Sequence, residues 1–210
     1  MIESTDTAVC RTPSIAITGS KGGVGKSTLV VNLAVLLARS DRRVLVIDGD
    51  LGLANLDVLL GLVPPRTVEE LVHGEARLEE LLIEGPGGIR ILPGASGIPE
   101  LARLHEHARA KLLGALTEGT RLADHVLVDT GAGLGENSLA LQLAASRVIV
   151  VTTAEPTSLV DTYATIKVLW DADPAKQVDL VVNNVASEKE AMRAYERLAR
   201  ACGHFLQREP

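Results

Sequence analysis

The sequence predicts an α/β domain whose mostly parallel central sheet is flanked by helices on both faces, and three observations carry that expectation. Apolar runs of strand length alternate with amphipathic helical patterns. Several of those runs end in a polar residue at their carboxyl end. A glycine-rich loop joins the first run to the first helix, where a strand feeds directly into a turn. At 210 residues the chain is long enough for one domain with a sizeable core. That core must be aliphatic, because apolar residues make up 46% of the chain and aromatics only 2%.

The elements follow in order. Residues 1–13 read as a polar tail ending at Pro13. Ser14-Ile15-Ala16-Ile17-Thr18 is the first strand, and Leu29, Leu33, Leu36 and Leu37 mark the helix after the loop. Strand-length runs recur at 43–48, 89–92, 125–129, 147–152 and 178–183. Residues 61–88 are less regular: Pro64-Pro65 breaks the chain, Thr67 caps a short helix through Leu71, and Gly85-Pro86-Gly87-Gly88 turns into the next strand. A last helix over 187–202 places Ala191, Tyr195, Leu198 and Cys202 on one face, suited to packing on the sheet. No internal repeat or linker divides 14–210, so these residues form one domain. Asp48, Asp129, Thr152 and Asn183 end their strands, and in an open α/β sheet ligands bind at that edge.

Composition narrows the function. A net charge of −6 gives no global basic footprint, and the scarcity of aromatic stacking platforms weighs against a nucleic-acid binder. Arg39, Arg42 and Arg43, and later Arg193, Arg197 and Arg200, read as solvated surface. Cys10 and Cys202 form no CxxC pair, which supports neither a disulfide framework nor a cluster site and fits a reducing cytoplasm. The amino terminus has no secretory pattern, and no 18-residue apolar run occurs.

The chemistry sits in Ser20-Lys21-Gly22-Gly23-Val24-Gly25-Lys26-Ser27-Thr28. Three fixed glycines arise by chance in roughly 3 of 10⁴ windows, and the lysines and hydroxyl make accident rarer still. A glycine loop closed by Lys-Ser wraps backbone amides around phosphates, so Gly22, Gly23, Val24, Gly25, Lys26, Ser27 and Thr28 form a nucleotide cradle. Lys26 reaches the β- and γ-phosphates as a point charge, and the Ser27 hydroxyl suits Mg²⁺. These residues predict a P-loop nucleotide-binding protein. A strict Walker pattern has Gly where Ser20 stands, and here a further lysine, Lys21, opens the loop.

That spelling resembles the deviant P-loop of the MinD/ParA ATPases, in which the early lysine reaches the nucleotide of the opposing subunit. The resemblance implies a slow, Mg²⁺-dependent ATPase that uses ATP and ADP and forms a homodimer with ATP. It assigns catalytic roles to Lys21, Lys26 and Asp50. Asp48-Gly49-Asp50-Leu51-Gly52-Leu53-Ala54-Asn55 resembles the family's first switch segment. By position, Asp48 lies near the Mg²⁺ shell, Asp50 orients the attacking water, and Asn55 holds the γ-phosphate surroundings. In Asp129-Thr130-Gly131-Ala132-Gly133 the carboxylate resembles the Walker B metal contact, and Gly131 and Gly133 let the second switch approach the phosphate. Asp161 matches a carboxylate that pairs with the signature lysine, with Thr157 or Ser158 capping the helix it lies on. Asn183 matches the position where the family reads adenine.

Within the family, four stretches resemble the FlhG/FleN (YlxH) flagellar-number regulators: 48–62, 85–104, 129–134 and 155–169. Gly94-Ala95-Ser96-Gly97 has no catalytic reason derivable from its residues. The implied partners are flagellar assembly proteins: an FlhF-type GTPase, switch-complex or regulatory proteins. There are departures. Ala154 stands where the family has Pro, and residues 1–13 lack the DQAxxLR-like helix that stimulates the GTPase. After Asn183-Asn184 the family's further strand, helices and amphipathic membrane-binding tail are missing. The implied location is the cytoplasm, with the inner face of the cell membrane left open by that missing tail. Three other readings stand beside the flagellar one. A ParA-type DNA partition ATPase needs a basic dimer surface, an iron–sulfur carrier needs the missing CxxC, and a nucleotide-dependent scaffold needs little hydrolysis.

Overall fold

A computed structural model describes residues 13–19, 21–102 and 104–210. The expectations for residues 1–12, including Cys10, and for Ser20 lie outside the described residues. The strands are β1 (Ser14–Gly19), β2 (Val44–Gly49), β3 (Ile83–Glu84), β4 (Arg90–Leu92), β5 (His125–Thr130), β6 (Arg147–Thr152) and β7 (Gln177–Val182). They form one sheet in the order β3-β4-β2-β5-β1-β6-β7, parallel throughout except for β3. The helices are α1 (Lys26–Ala38), α2 (Leu56–Leu60), α3 (Val68–His73), α4 (Leu78–Leu81), α5 (Pro99–Ala102), α6 (Glu106–Leu122), α7 (Glu136–Ala144), α8 (Pro156–Ala172) and α9 (Glu188–Leu206).

A sheet covered on both faces must bury every residue of its central strands, and all six residues of β2 are buried. Alternation divides them between two cores. Val44 and Val46 pack with Ile17, Leu127, Val30 and Ala34 under α1. Leu45 and Ile47 point to the opposite face, with Val126, Val128, Leu112 and Leu116. The doubly wound arrangement brings the loops after β1, β2, β5 and β6 to one edge, the edge the polar strand ends predict.

The short helices α2, α4 and α5 are additions to the sequence reading, and the structure departs from it elsewhere too. β3 is a seventh, antiparallel edge strand pairing Ile83 with Ile91 and Glu84 with Arg90, and two residues are too few to show periodicity. The Thr67 cap is real and is completed by Glu70 as a capping box, but its helix runs on to His73 before Gly74 ends it. α9 also runs further, from the Ser187 cap to Leu206, and buries Ala194, Leu198, Ala199 and Cys202. Ala191 and Tyr195 therefore lie at the margin of the buried stripe, half-buried. Finally, neither Thr157 nor Ser158 caps α8: Glu155 occupies that position without a side-chain bond, and Pro156 opens the helix. The Ser158 hydroxyl instead bonds the Thr152 hydroxyl at 2.9 Å and accepts the Thr153 N–H at 3.2 Å.

Candidate functional site

The loop between β1 and α1 turns on Gly25, whose φ of 99° is left-handed and favours glycine. A Cβ there would also fall 2.4 Å from Asn183 Nδ2. That amide donates to the Val24 carbonyl at 2.9 Å, so the end of β7 holds the loop from behind. Val24 itself is buried, and its side chain packs in the core beneath α1 and anchors the loop. α1 has no acidic residue in its first turn, so its positive end is left for an anion.

In front of this end lies a cleft of about 700 Å³. Gly22, Gly23, Gly25, Lys26, Ser27 and Thr28 form one wall; Asp50 and Asn55 come from the loop after β2, and Gly131 from the loop after β5. Gly131 is required by close approach, since a Cβ there would lie 3.0 Å from Asp50 Oδ1 and 3.1 Å from Ser138 Oγ. Gly133 stands behind that wall, its N–H donating to the Gly19 carbonyl at 3.1 Å. Asn137 and Ser138, in the first turn of α7, complete the lining. The sequence reading passed over both, although two polar residues opening the helix straight after 129–135 were a signal.

Asp48 and Asp129 are cross-strand neighbours on β2 and β5, each 1% exposed, at the floor of this edge. Asp48 accepts the backbone N–H of Asp50 at 3.3 Å and of Leu56 at 3.2 Å. Burial, reinforced by the Asp129 charge, still pushes its carboxyl up to about 7. Burial likewise raises Asp129 to about 6, against the Ser27 hydroxyl hydrogen bond and the Lys26 charge. Asp129 Oδ1 is buried with no hydrogen-bond partner. Two acids strained by desolvation, one with an orphaned oxygen beside a serine hydroxyl, are a donor set that a divalent cation would relieve. Among the described residues no cluster of three or more His, Cys, Asp or Glu side chains forms a metal cage. A cation here would therefore take its other ligands from water and phosphate, as Mg²⁺ does.

Lys21 stands at the head of the loop, its ammonium hydrogen-bonded to the Thr157 hydroxyl and 3.9 Å from the Glu155 carboxylate. These two residues at the start of α8 are partners that the sequence reading did not assign. Asp161, half-buried, lies further along α8. Asn183 also lines a smaller pocket of about 200 Å³ beside the loop, with Gly25, Thr28 and Asn32.

Comparison with known proteins gives the chain's relatives. The family described as the CobQ/CobB/MinD/ParA nucleotide binding domain matches residues 15–207. Antiactivator FleN of Pseudomonas aeruginosa is 41% identical over 192 residues, covering 91% of this chain and 69% of FleN. The flagellum site-determining protein YlxH of Helicobacter pylori is 39% identical over 188 residues, 89% of this chain and 63% of YlxH. The septum site-determining protein MinD of Pyrococcus horikoshii, solved with Mg-ADP, superposes with a TM-score of 0.77 at 30% identity, covering 88% of this chain and 76% of that one. Among the described residues no helix is long and apolar enough to cross a membrane. The chain belongs to the CobQ/CobB/MinD/ParA nucleotide-binding domain family, with FleN and YlxH among its relatives.

Proposed function

We propose that the chain is an ATP-driven switch in flagellar placement or number: it binds ATP with Mg²⁺, pairs with a second copy while ATP is bound, and separates after slow hydrolysis. The observation that carries this reading is the convergence of Lys26, Ser27, Asp50 and Asp129 around one cleft at the unneutralised end of α1. Backbone amides of 22–28 hold the phosphates, and Lys26 neutralises them. Ser27, Asp48 and Asp129 hold the cation, which when bound offsets phosphate charge and polarises the group transferred. Asp50, at the cleft wall and close to Gly131, positions the water. Asn55, whose side chain makes no cap bond to α2, is left to the γ-phosphate. Asn183 fixes the loop through its nitrogen and leaves its amide oxygen to the base.

Lys21 is the residue that makes the switch depend on pairing. In the single chain it rests on Thr157 and Glu155, and in the pair it turns to the other subunit's phosphates. The flagellar setting follows from the similarity to FleN and YlxH, with flagellar assembly proteins as partners. Sedimentation with ATP, ADP and no nucleotide, run alongside phosphate release, tests the reading. A dimer confined to the ATP sample and a turnover that requires Mg²⁺ are expected. The same mass in all three samples, or no nucleotide binding, overturns it.

A further inference from the structure

The stretch Gly94-Ala95-Ser96-Gly97, for which the sequence offers no chemistry, has definite partners in the structure. Gly94 lies against the floor of the site: a Cβ there would meet Ala54 Cβ at 2.5 Å and Asp48 Cγ at 2.9 Å. Two residues on, the Ser96 hydroxyl donates to the Ala54 carbonyl, in the loop that carries Asp50 and Asn55. The same segment then turns through α5, where the Leu101 carbonyl accepts the Asn137 Nδ2 at 3.1 Å. Arg109, in α6, completes the far end. It donates to the Leu104 carbonyl at 3.2 Å, to Asn137 Oδ1 at 3.2 Å and to Glu136 at 2.7 Å. Leu101 and Leu104 are buried in the main core, which anchors both of these positions.

We propose that residues 94–102 and 104–109 brace the two loops that face the phosphates, with Ser96 and Arg109 as positioning residues for the hydrolytic step. One end grips the loop after β2, and the other grips the first turn of α7, whose Asn137 and Ser138 line the opposite wall of the cleft. Neither Ser96 nor Arg109 lines the cleft. Their influence reaches the nucleotide only by fixing Asp50 and the loop at Gly131 relative to each other. A water-positioning carboxylate is sensitive to such a shift, because displacement by about 1 Å costs on the order of 10²-fold in rate. The phosphate cradle of 22–28 is held by β1, α1 and Asn183, and neither Ser96 nor Arg109 bonds to it. The brace thus acts on the chemical step and leaves affinity intact.

The inference rests on the proposed Mg-ATP hydrolysis, and the test separates the two. Single-turnover hydrolysis, fluorescent-ATP affinity and thermal midpoint are measured for the wild type, Ser96→Ala, Ser96→Thr, Arg109→Ala and the Ser96→Ala/Arg109→Ala pair. Each alanine variant should slow hydrolysis about fivefold or more with affinity within threefold, and Ser96→Thr should restore the rate. The double variant should be slower than either single by less than the product of their effects, as residues acting through one element are non-additive. A wild type that neither binds nor hydrolyses Mg-ATP sinks the proposed function. With an active wild type, the brace is overturned by variants within twofold of it, by multiplicative effects, or by losses of rate that merely follow affinity or melting.

Discussion

The Asp48 carboxylate accepts the backbone N–H of Leu56 at 3.2 Å, so the acid at the floor of the phosphate cleft also holds the first turn of α2. Leu56 is fully buried beneath α1, while Leu53, Val58 and Leu59 on the same segment are exposed and line the cleft mouth. The state of one buried carboxyl is therefore linked to the posture of an apolar rim.

Asp48 gives the stability of the metal-free protein a pH dependence. Its folded value, about 7, lies above the ordinary 3.8, so the folded state keeps a proton that the unfolded chain has released. The associated stability is full below about 4 and is lost as pH rises towards 7. A loss of about 2 kcal/mol moves the thermal midpoint by roughly 4–8 °C. Scanning calorimetry between pH 5 and 8 should show that fall in the wild type and a smaller one in Asp48→Asn. Mg²⁺ with nucleotide should reverse it in the wild type.

Lys21 and Asp50 should fail differently. Lys21→Ala should weaken ATP-dependent pairing and hydrolysis together. Asp50→Ala should bind ATP, accumulate dimer and lose a hundredfold or more in turnover, about 2.7 kcal/mol of barrier. Sedimentation with ATP and single-turnover hydrolysis are the measurements. Normal pairing by Lys21→Ala, or hydrolysis by Asp50→Ala within threefold of wild type, reverses these roles.

Asn183→Ala releases the Val24 carbonyl and loosens the loop under every nucleotide. Affinity should fall for both nucleotides in equilibrium titrations, about tenfold for GTP and further for ATP, whose base also loses the amide oxygen. A loss confined to ATP means that base reading outweighs the hold on the loop.

Lys176 is 7% exposed, and its ammonium donates to the Leu143 and Ala145 carbonyls at 2.8 and 2.9 Å and pairs with Asp173 at 3.3 Å. Lys176→Met should lower unfolding free energy by about 2–4 kcal/mol in urea melts, because carbonyls at the end of α7 lose their donor. Nucleotide affinity of the folded fraction should stay within threefold.

Duplex DNA should not bind tightly, given the net charge of −6. Fluorescence anisotropy with ATP at physiological ionic strength should give no micromolar complex. A tight one with a steep salt slope would revive the DNA-partition reading.

The sheet, the cleft wall at 22–28 and the acids Asp48 and Asp129 were legible because each is written in contiguous residues. A strand ends, a carboxylate follows, and the turn chemistry is local. What escaped is what folding joins across the chain. Asn183 meets Val24 across a separation of 159 residues, and Lys21 meets Thr157 across 136. Gly94 is needed only because Asp48 and Ala54 lie behind it, a neighbourhood fixed by the pairing of β2 with β4 that no spacing reveals. Thr157 and Ser158 show the same limit from the other side. Their local chemistry suits a cap, but Lys21 and β6 supply their partners instead.

The buried amine of Lys176 also fixes one end of α7. It holds the carbonyls at the far end of the helix while Arg109 holds the first turn through Glu136 and Asn137, so the rod is tied at both ends. Nine residues give an arm of about 13 Å, so a swing of roughly 4° carries the first turn about 1 Å. An angular error of that size at the Lys176 end would be felt at the cleft wall that Asn137 and Ser138 line.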